Sequence, residues 1–403
     1  MIRVNPVNAM VLFFAIIPVS SSAHEALKAL VYHSYSANMC NLKILIVVLV
    51  VHIAAIHAFS QTPIADKDHR DAIEQARRIT VGLVSEQKLP GLAISVSVDN
   101  KIVWSESFGF ADLENRAPVT AQTRFRIGSI SKLFTAAAAA KLHEQGALDL
   151  DAPIQKYVPS YPQKESPITS RHLLGHLAGV RHYKRDDYIN QRRFESVSDS
   201  LARFKDDPLL HRPESKYAYS SYGFVLLSAI LESASGENFS VLLQKLVFTP
   251  LGMNDTQVDD NRKIIANRSG FYAKNSEGEI SNEIYMDTSD RIAAGGFLST
   301  AEDLARFGAA SLSDRFLRPD TRAVVFTSQK TTDGKPTGVG LGWRIATDSE
   351  KRTIYHHGGD SIGGRAFLMV YPESRVVIAV VSNLSFAKIG EKEVERIADL
   401  FVS

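Results

Sequence analysis

The sequence predicts a mixed α/β (α+β) fold: one antiparallel sheet built from both ends of the chain, flanked by terminal helices, with a helical lobe inserted between. Three observations carry this. Residues 91–110 read as a β-hairpin, residues 340–383 read as a succession of strands, and the residues between carry helical spacing broken by loops. Strands at both ends with helices between them close most simply into one sheet.

Taken in order, the first element is an amphipathic helix from Asp68 to about Gln87, with Ile73, Ala76, Ile79, Leu83 and Val84 on one face and Pro90 preventing continuation. The β-branched runs GLAISVSV and KIVWSESFGF then flank Asp99-Asn100, a pair that tolerates positive φ in a tight turn. Helices follow near 129–145, 168–178, 197–205, 221–234, 239–247 and 300–312, the last opened by a Thr300–Asp303 cap. GLGWRIA, RTIYHHG, RAFLMVYP and RVVIAVVSN read as strands, the last two joined through Glu373 and Ser374, and a helix from Glu391 to Phe401 ends the chain. No Pro-, Gly- or Ser-rich linker and no repeat divides these elements. One two-lobed domain over 61–403 is therefore expected, with a sheet lobe of 66–128 and 335–403, a helical lobe of 129–334, and a cleft between them.

Composition narrows the function. With 45% apolar and 22% charged residues over 403, the chain can bury a large core, and a formal charge of +2 with no like-charged run points away from a nucleic-acid partner. A single cysteine, Cys40, excludes an internal disulfide and a Cys-based metal site. His172 and His176 stand four apart with no further ligand candidate beside them, so they are read as facing solvent or a core edge, and no metal or cofactor is expected.

Residues 1–60 read as a leader. Their apolar runs, 9–19 and 44–58, are shorter than the roughly 18 to 20 residues of a spanning helix. Lys43 ahead of the second run and Ala58-Phe59-Ser60 behind it give the layout of a signal peptide over 39–60, with 1–38 an over-extended reading frame. Export to the periplasm or beyond is expected, with membrane contact only through this leader if it stays uncleaved.

Ser-x-x-Lys occurs three times, at Ser85, Ser129 and Ser385. Ser85 lies at an exposed, charged helix end, and Ser385 lies in a loop before a charged helix. Ser129 differs, because an extended segment leads into it and an alanine-rich helix leaves it. There Lys132, one turn on, can reach the Ser129 hydroxyl, beside unpaired backbone N–H groups at a helix start. That segment alone fits a buried capping serine equally well. Ser361 matches Gly-x-Ser-x-Gly, but a strand follows it where a helix is required and no histidine follows His357, so it reads as a turn residue.

Three stretches resemble the serine β-lactamase and penicillin-binding protein superfamily, in its class C-like branch with esterases and D-amino peptidases. They are FRIGSISKLFTA, YAYSSYGFVLLSAILE (Tyr219 and Ser221 at the Tyr-x-Asn positions) and YHHGGDSIGG (His357, Gly358, Gly359 and Gly363 at the Lys/His-x-Gly element). FTPLGMNDT and AAGGFLSTAEDLARF agree, and ITSRHLLGHLAGVRHY is similar to the mitochondrial β-lactamase-like members and their bacterial relatives. The resemblance implies a β-lactamase/transpeptidase-like fold and an acyl-enzyme at Ser129, with Lys132 beside it. It implies Tyr219, its phenol pKa lowered by Lys132, as general base and then acid. Backbone N–H groups of Ser129 and Asp360 would hold the oxyanion, and His357 would complete a hydrogen-bond net to Tyr219. Ser221 in place of asparagine and His357 in place of lysine point toward an ester or small peptide substrate rather than efficient β-lactam hydrolysis. The alternative of another class is a low-activity, self-assembling scaffold, against which the joint presence of Ser129, Lys132 and Tyr219 argues.

Overall fold

A computed structural model describes residues 63–402; the leader, its signal-peptide reading and Cys40 lie outside the described residues. Seven strands, β1 (Ile64–Ala65), β2 (Gly91–Val98), β3 (Lys101–Asp112), β4 (Arg344–Thr347), β5 (Thr353–Ser361), β6 (Gly364–Tyr371) and β7 (Val376–Ser382), form an antiparallel sheet in the order β1-β3-β2-β7-β6-β5-β4. A short strand, Ala117–Pro118, adds to β3. The first and last parts of the chain meet at the sheet's centre, where Ile94 of β2 pairs with Val380 of β7.

The expected hairpin forms because Asp99 and Asn100 both adopt left-handed φ, 47° and 65°, which matches the twist of the strands they join. Both faces of β6 and β7 are buried, so these strands read as unbroken apolar runs rather than alternating ones. Phe367, Met369, Ile378 and Val380 face the terminal helices α1 (Arg70–Gln87) and α6 (Glu391–Ala398). Leu368, Val370, Val377 and Ala379 face the inserted lobe and its helix α5 (Ala301–Ser311). Each such side chain contributes about 1.5–3 kcal/mol by leaving water. α5 lies close enough that a Cβ on Gly308 would stand 2.6 Å from Val377 Cγ1.

Three other helices matter for the site: α2 (Ser131–Glu144), α3 (Ser221–Ser235) and α4 (Ile292–Gly295). α2 is buried on every side from Ser131 to Ala140, and its alanines let α3 and α4 pack close to its backbone.

Several elements depart from the sequence reading. The strand expected in GLGWRIA begins only at Arg344, because Gly340–Trp343 closes a turn with Gly342 at φ 82°. The helix expected over 168–178 is Ser170–Leu174, ended by His176 at φ 57°. That expected over 197–205 ends at Leu201, and the one over 239–247 passes at Gln244 into a π-helical turn. Short strands at Phe125–Arg126, Gln257–Val258 and Phe297–Ser299 form a second sheet, and Tyr272–Lys274 pairs with Ile280–Asn282. None is long enough to show a period.

The sheet meets the start of α2 through glycine. Directly paired residues share a face, so Gly359 opposite Ala366 and His357 opposite Leu368 point toward the inserted lobe. A Cβ on Gly359 would lie 1.9 Å from the Ile127 carbonyl oxygen. Gly359→Ala is therefore expected to destabilise by at least about 2 kcal/mol through a backbone clash. Gly82→Ala, in α1 with nothing within 4 Å of its would-be Cβ, is expected to stabilise by about 1 kcal/mol. Urea unfolding of the two variants against wild type checks the contrast.

Candidate active site

Ser129 lies in a single 3-10 turn, Gly128–Ile130, that leads directly into α2. Gly128 turns the chain with φ 50°, and its carbonyl accepts the Ser131 hydroxyl at 2.7 Å. Ser129 is half-buried while its neighbours are fully buried, so its hydroxyl is the reachable atom of the turn. Lys132, three residues on, donates from Nζ to Ser129 Oγ at 3.1 Å and to the Ala294 carbonyl of α4 at 2.7 Å. Thr135 donates to the neighbouring carbonyl, Ala293, at 2.7 Å, so α2 and α4 are bonded twice at this point. Tyr219 enters just before α3 and donates from its phenol to Ser129 Oγ at 2.9 Å. Ser129, Lys132 and Tyr219, separated by up to 90 residues, thus converge on one oxygen.

The electrostatics come from burial. Lys132 sits between the rings of Tyr219 and Phe224, 5.0 and 5.6 Å from their centroids, with no carboxylate paired to it among the described residues. Burial, and then the charge of Arg291, hold its amine well below the ordinary lysine range. Arg291 is itself paired with Asp290, at 2.7 and 2.9 Å, and Asp290 also accepts from Arg203 at 2.9 Å.

Tyr219 behaves opposite to the sequence reading. Its phenol is pushed up to about 12, first by burial, and its bond to Ser129 and the charge of Arg344 offset this only in part. The expected lowering by Lys132 is absent because desolvation penalises the phenolate while the buried amine is itself held toward neutrality.

His357 is corrected as well. Its Nδ1 meets the Gly358 carbonyl at 2.6 Å, not Tyr219, whose ring centroid is 6.3 Å away. Opposite a carbonyl that nitrogen must carry the proton. Burial brings the imidazole down to about 3, so it stands beside Tyr219 as a neutral wall.

The remaining expected residues are close by. Asp360 stands next to the end of β5 with its carboxylate paired to Arg365, while its backbone abuts Gly128, where a Cβ would lie 2.8 Å from the Asp360 nitrogen. This places the Asp360 amide one residue from Ser129. Ser221, at the start of α3, donates its N–H to His182 Nδ1 at 3.1 Å, and its hydroxyl lies against the phenols of Tyr219 and Tyr183.

The other serines are structural. Ser385 accepts the Gly363 N–H at 2.7 Å and donates to Glu283. Ser361 ends β5 at the turn into β6, and Lys88 of the Ser85 match is the left-handed cap of α1.

Sequence reasoning missed the Ala294 carbonyl, Arg291 and the role of His176. His172 keeps a partly exposed edge beside Glu214. His176, expected at solvent or a core edge, is 2% exposed because the left-handed turn swings its ring beneath Tyr219. A cavity of about 320 Å³ lies across α3, lined by Ser228, Phe239 and Phe297 and by none of Ser129, Lys132 or Tyr219.

A model of the β-lactamase family matches residues 70–400. This chain belongs to the β-lactamase family. Within the wider β-lactamase/transpeptidase-like superfamily of serine hydrolases, it is 32% identical over 396 residues to the mitochondrial serine β-lactamase-like protein LACTB of Homo sapiens, covering 75% of this chain and 72% of that one. Among solved structures, the octameric penicillin-binding protein homologue from Pyrococcus abyssi superimposes with a TM-score of 0.69 at 27% identity, covering 78% of this chain and 74% of that one. A penicillin-binding protein from Bacillus halodurans does so with a TM-score of 0.68 at 25% identity, covering 79% and 98%.

The buried Arg291 beside Lys132 makes this β-lactamase family site sensitive to one carboxylate. Asp290→Asn is expected to cost about 3–5 kcal/mol, because it strips the counter-charge from the buried Arg291, while Arg203 keeps its bond to Asp187. Chemical denaturation of the variant against wild type checks this.

Proposed function

We propose that this protein is a serine hydrolase that forms an acyl-enzyme at Ser129 and acts on an ester or small peptide amide. One observation carries the reading: Ser129 Oγ lies within hydrogen-bond reach of both an amine held toward neutrality and a phenol held protonated. Groups whose environments push their pKa values in opposite senses divide into base and acid.

Ser129 Oγ attacks the substrate carbonyl carbon, and its proton passes to the Lys132 lone pair. The carbonyl π pair becomes an oxyanion held by the Ser129 and Asp360 N–H groups, each worth roughly 10²–10³ in rate. The carbonyl–heteroatom bond then breaks as Tyr219 gives its proton to the departing alkoxide or amine, and Lys132 returns a proton to Tyr219. Water repeats the sequence on the acyl-enzyme and restores Ser129. On this reading Lys132 takes the first-base role in place of Tyr219, which the burial of the phenol and the amine supports.

The neutral His357 supports uncharged acyl groups over β-lactams, whose carboxylate would find no cation at that position. The signal-peptide reading of residues 39–60 supports placing the reaction in an exported compartment.

A fluorophosphonate adduct is expected on the Ser129 peptide by mass spectrometry and is expected to vanish in Ser129→Ala; undiminished labelling of that variant sinks the reading. A panel of chromogenic esters, D-amino peptides and a β-lactam is expected to turn over in favour of the first two.

The pH profile has a definite sign. Lys132 acts deprotonated, so kcat/KM is expected to rise with pH through an ionisation below the ordinary lysine value. Tyr219 acts protonated, so the alkaline fall is expected only toward its value of about 12. Residual activity of Lys132→Met, followed across pH, is expected to lack the acid limb.

A further inference from the structure

The segment carrying Tyr219 is bonded on both sides to histidines. Ala218 donates its N–H to the His176 carbonyl at 2.9 Å, Ser220 donates to His176 Nδ1 at 3.1 Å, and Ser221 donates to His182 Nδ1 at 3.1 Å. The same two imidazoles also touch the phenol ring. His176 lies 4.4 Å from it, centroid to centroid, at an interplanar angle of 39°, and His182 lies 5.4 Å away at 77°, edge to face. Backbone and side chain of Tyr219 are thus held by one pair of residues.

These bonds are not ordinary helix capping. α3 already has its cap, since Ser220 Oγ accepts the Gly223 N–H at 2.9 Å. The imidazoles take the two amides that immediately follow Tyr219 instead. Each Nδ1 accepts from an N–H, so each ring is neutral with its proton on Nε2. Burial favours the same state, taking His182 down to about 4 and His176 well below the usual histidine range.

His176 is not placed to relay a proton, because its buried Nε2 has no hydrogen-bond partner. A leucine there would remove that orphaned Nε2 but would leave the Ser220 N–H without its acceptor. What the imidazole gives in return is the Nδ1 acceptor and the flat face against Tyr219.

We propose that His176 and His182 are positioning residues that fix the Tyr219 phenol on Ser129 Oγ, His176 being the principal brace. This rests on the proton-transfer role proposed above for Tyr219. Misplacing a reacting group by an ångström can cost about a hundredfold in rate, so the brace is expected to act on kcat rather than on binding.

The test compares His176→Leu, which removes the acceptor, with His176→Asn, whose Oδ1 can replace Nδ1 and whose backbone accepts the positive φ found there. Ester turnover, thermal unfolding and fluorophosphonate labelling are measured on the full chain. H176L is expected to lose roughly 10- to 100-fold in kcat with KM little changed, and H176N to recover most of it. In a Tyr219→Phe background, H176L is expected to cost almost nothing further, since a positioning residue acts only through the group it holds.

Wild-type kcat in H176L, an H176N as impaired as H176L, or a full additional loss in the Tyr219→Phe background each overturns the proposal. If H176L does not fold, the half-buried His182 carries the same comparison through H182L and H182N, and undiminished kcat in H182L overturns it. If Tyr219→Phe keeps full kcat, the role of Tyr219 falls and this inference with it. If Tyr219→Phe is impaired while H176L and H182L are not, only this inference falls.

Discussion

A lysine amine buried without a counter-charge is the constraint on which the rest of the site depends. A bare ammonium in such surroundings is too costly to keep, and the group yields its proton instead. The structure offers Lys132 two fixed partners, the Ala294 carbonyl and Ser129 Oγ. Few charges are left beside it: Arg291 is matched by Asp290, and His176, His182 and His357 are all held toward the neutral form, with Arg344 the cation that still acts on Tyr219. A carboxylate at hydrogen-bond distance would restore the ammonium and remove the lone pair that a serine nucleophile needs.

Such a site requires a rigid mount. The alanine face of α2 lets α3 and α4 approach closely, and Phe134, one turn beyond Ser131, packs edge to face against Phe248, Phe297 and Phe307 at 5.2, 5.9 and 4.9 Å. Those three rings come from three different parts of the inserted lobe and meet on one helix. On the opposite side the sheet presses its backbone against the same turn, and Gly128 and Gly359 have no room for a Cβ. Ser129 is therefore held between a packed helix and a strand, and neither can move without disturbing the core.

Much of this was legible in the sequence wherever a period or a motif was long enough to read. The hairpin at 91–112, the strands after 353 and the helices α1, α2, α3 and α5 stand near where their patterns put them, because each spans at least two turns or several alternations. Ser129, Lys132 and Tyr219 were legible because three motifs agreed in order. Strands of two or three residues at 125, 257 and 297 carry no period and could not be read. Burial and tautomer were equally hidden. The direction of the Tyr219 shift depends on how completely the lobe closes over it, and the placing of His176 depends on a left-handed turn at a residue that is not glycine.

The same constraint bears on His357, one of the two departures from the family motif. A second lysine at 357 would set another ammonium beside Lys132 in a position that is 3% exposed, and the two would compete to lose their protons. Histidine at that position sheds its charge readily and bonds the Gly358 carbonyl through Nδ1–H. Serine at 221 sets a short hydroxyl against the phenols of Tyr219 and Tyr183. Histidine in place of lysine thus keeps the wall around Tyr219 neutral. On the proposed reading, a pocket so lined recognises an acyl group by shape and hydrogen bonds rather than by charge, and the chemistry is left to the three residues that meet at Ser129 Oγ.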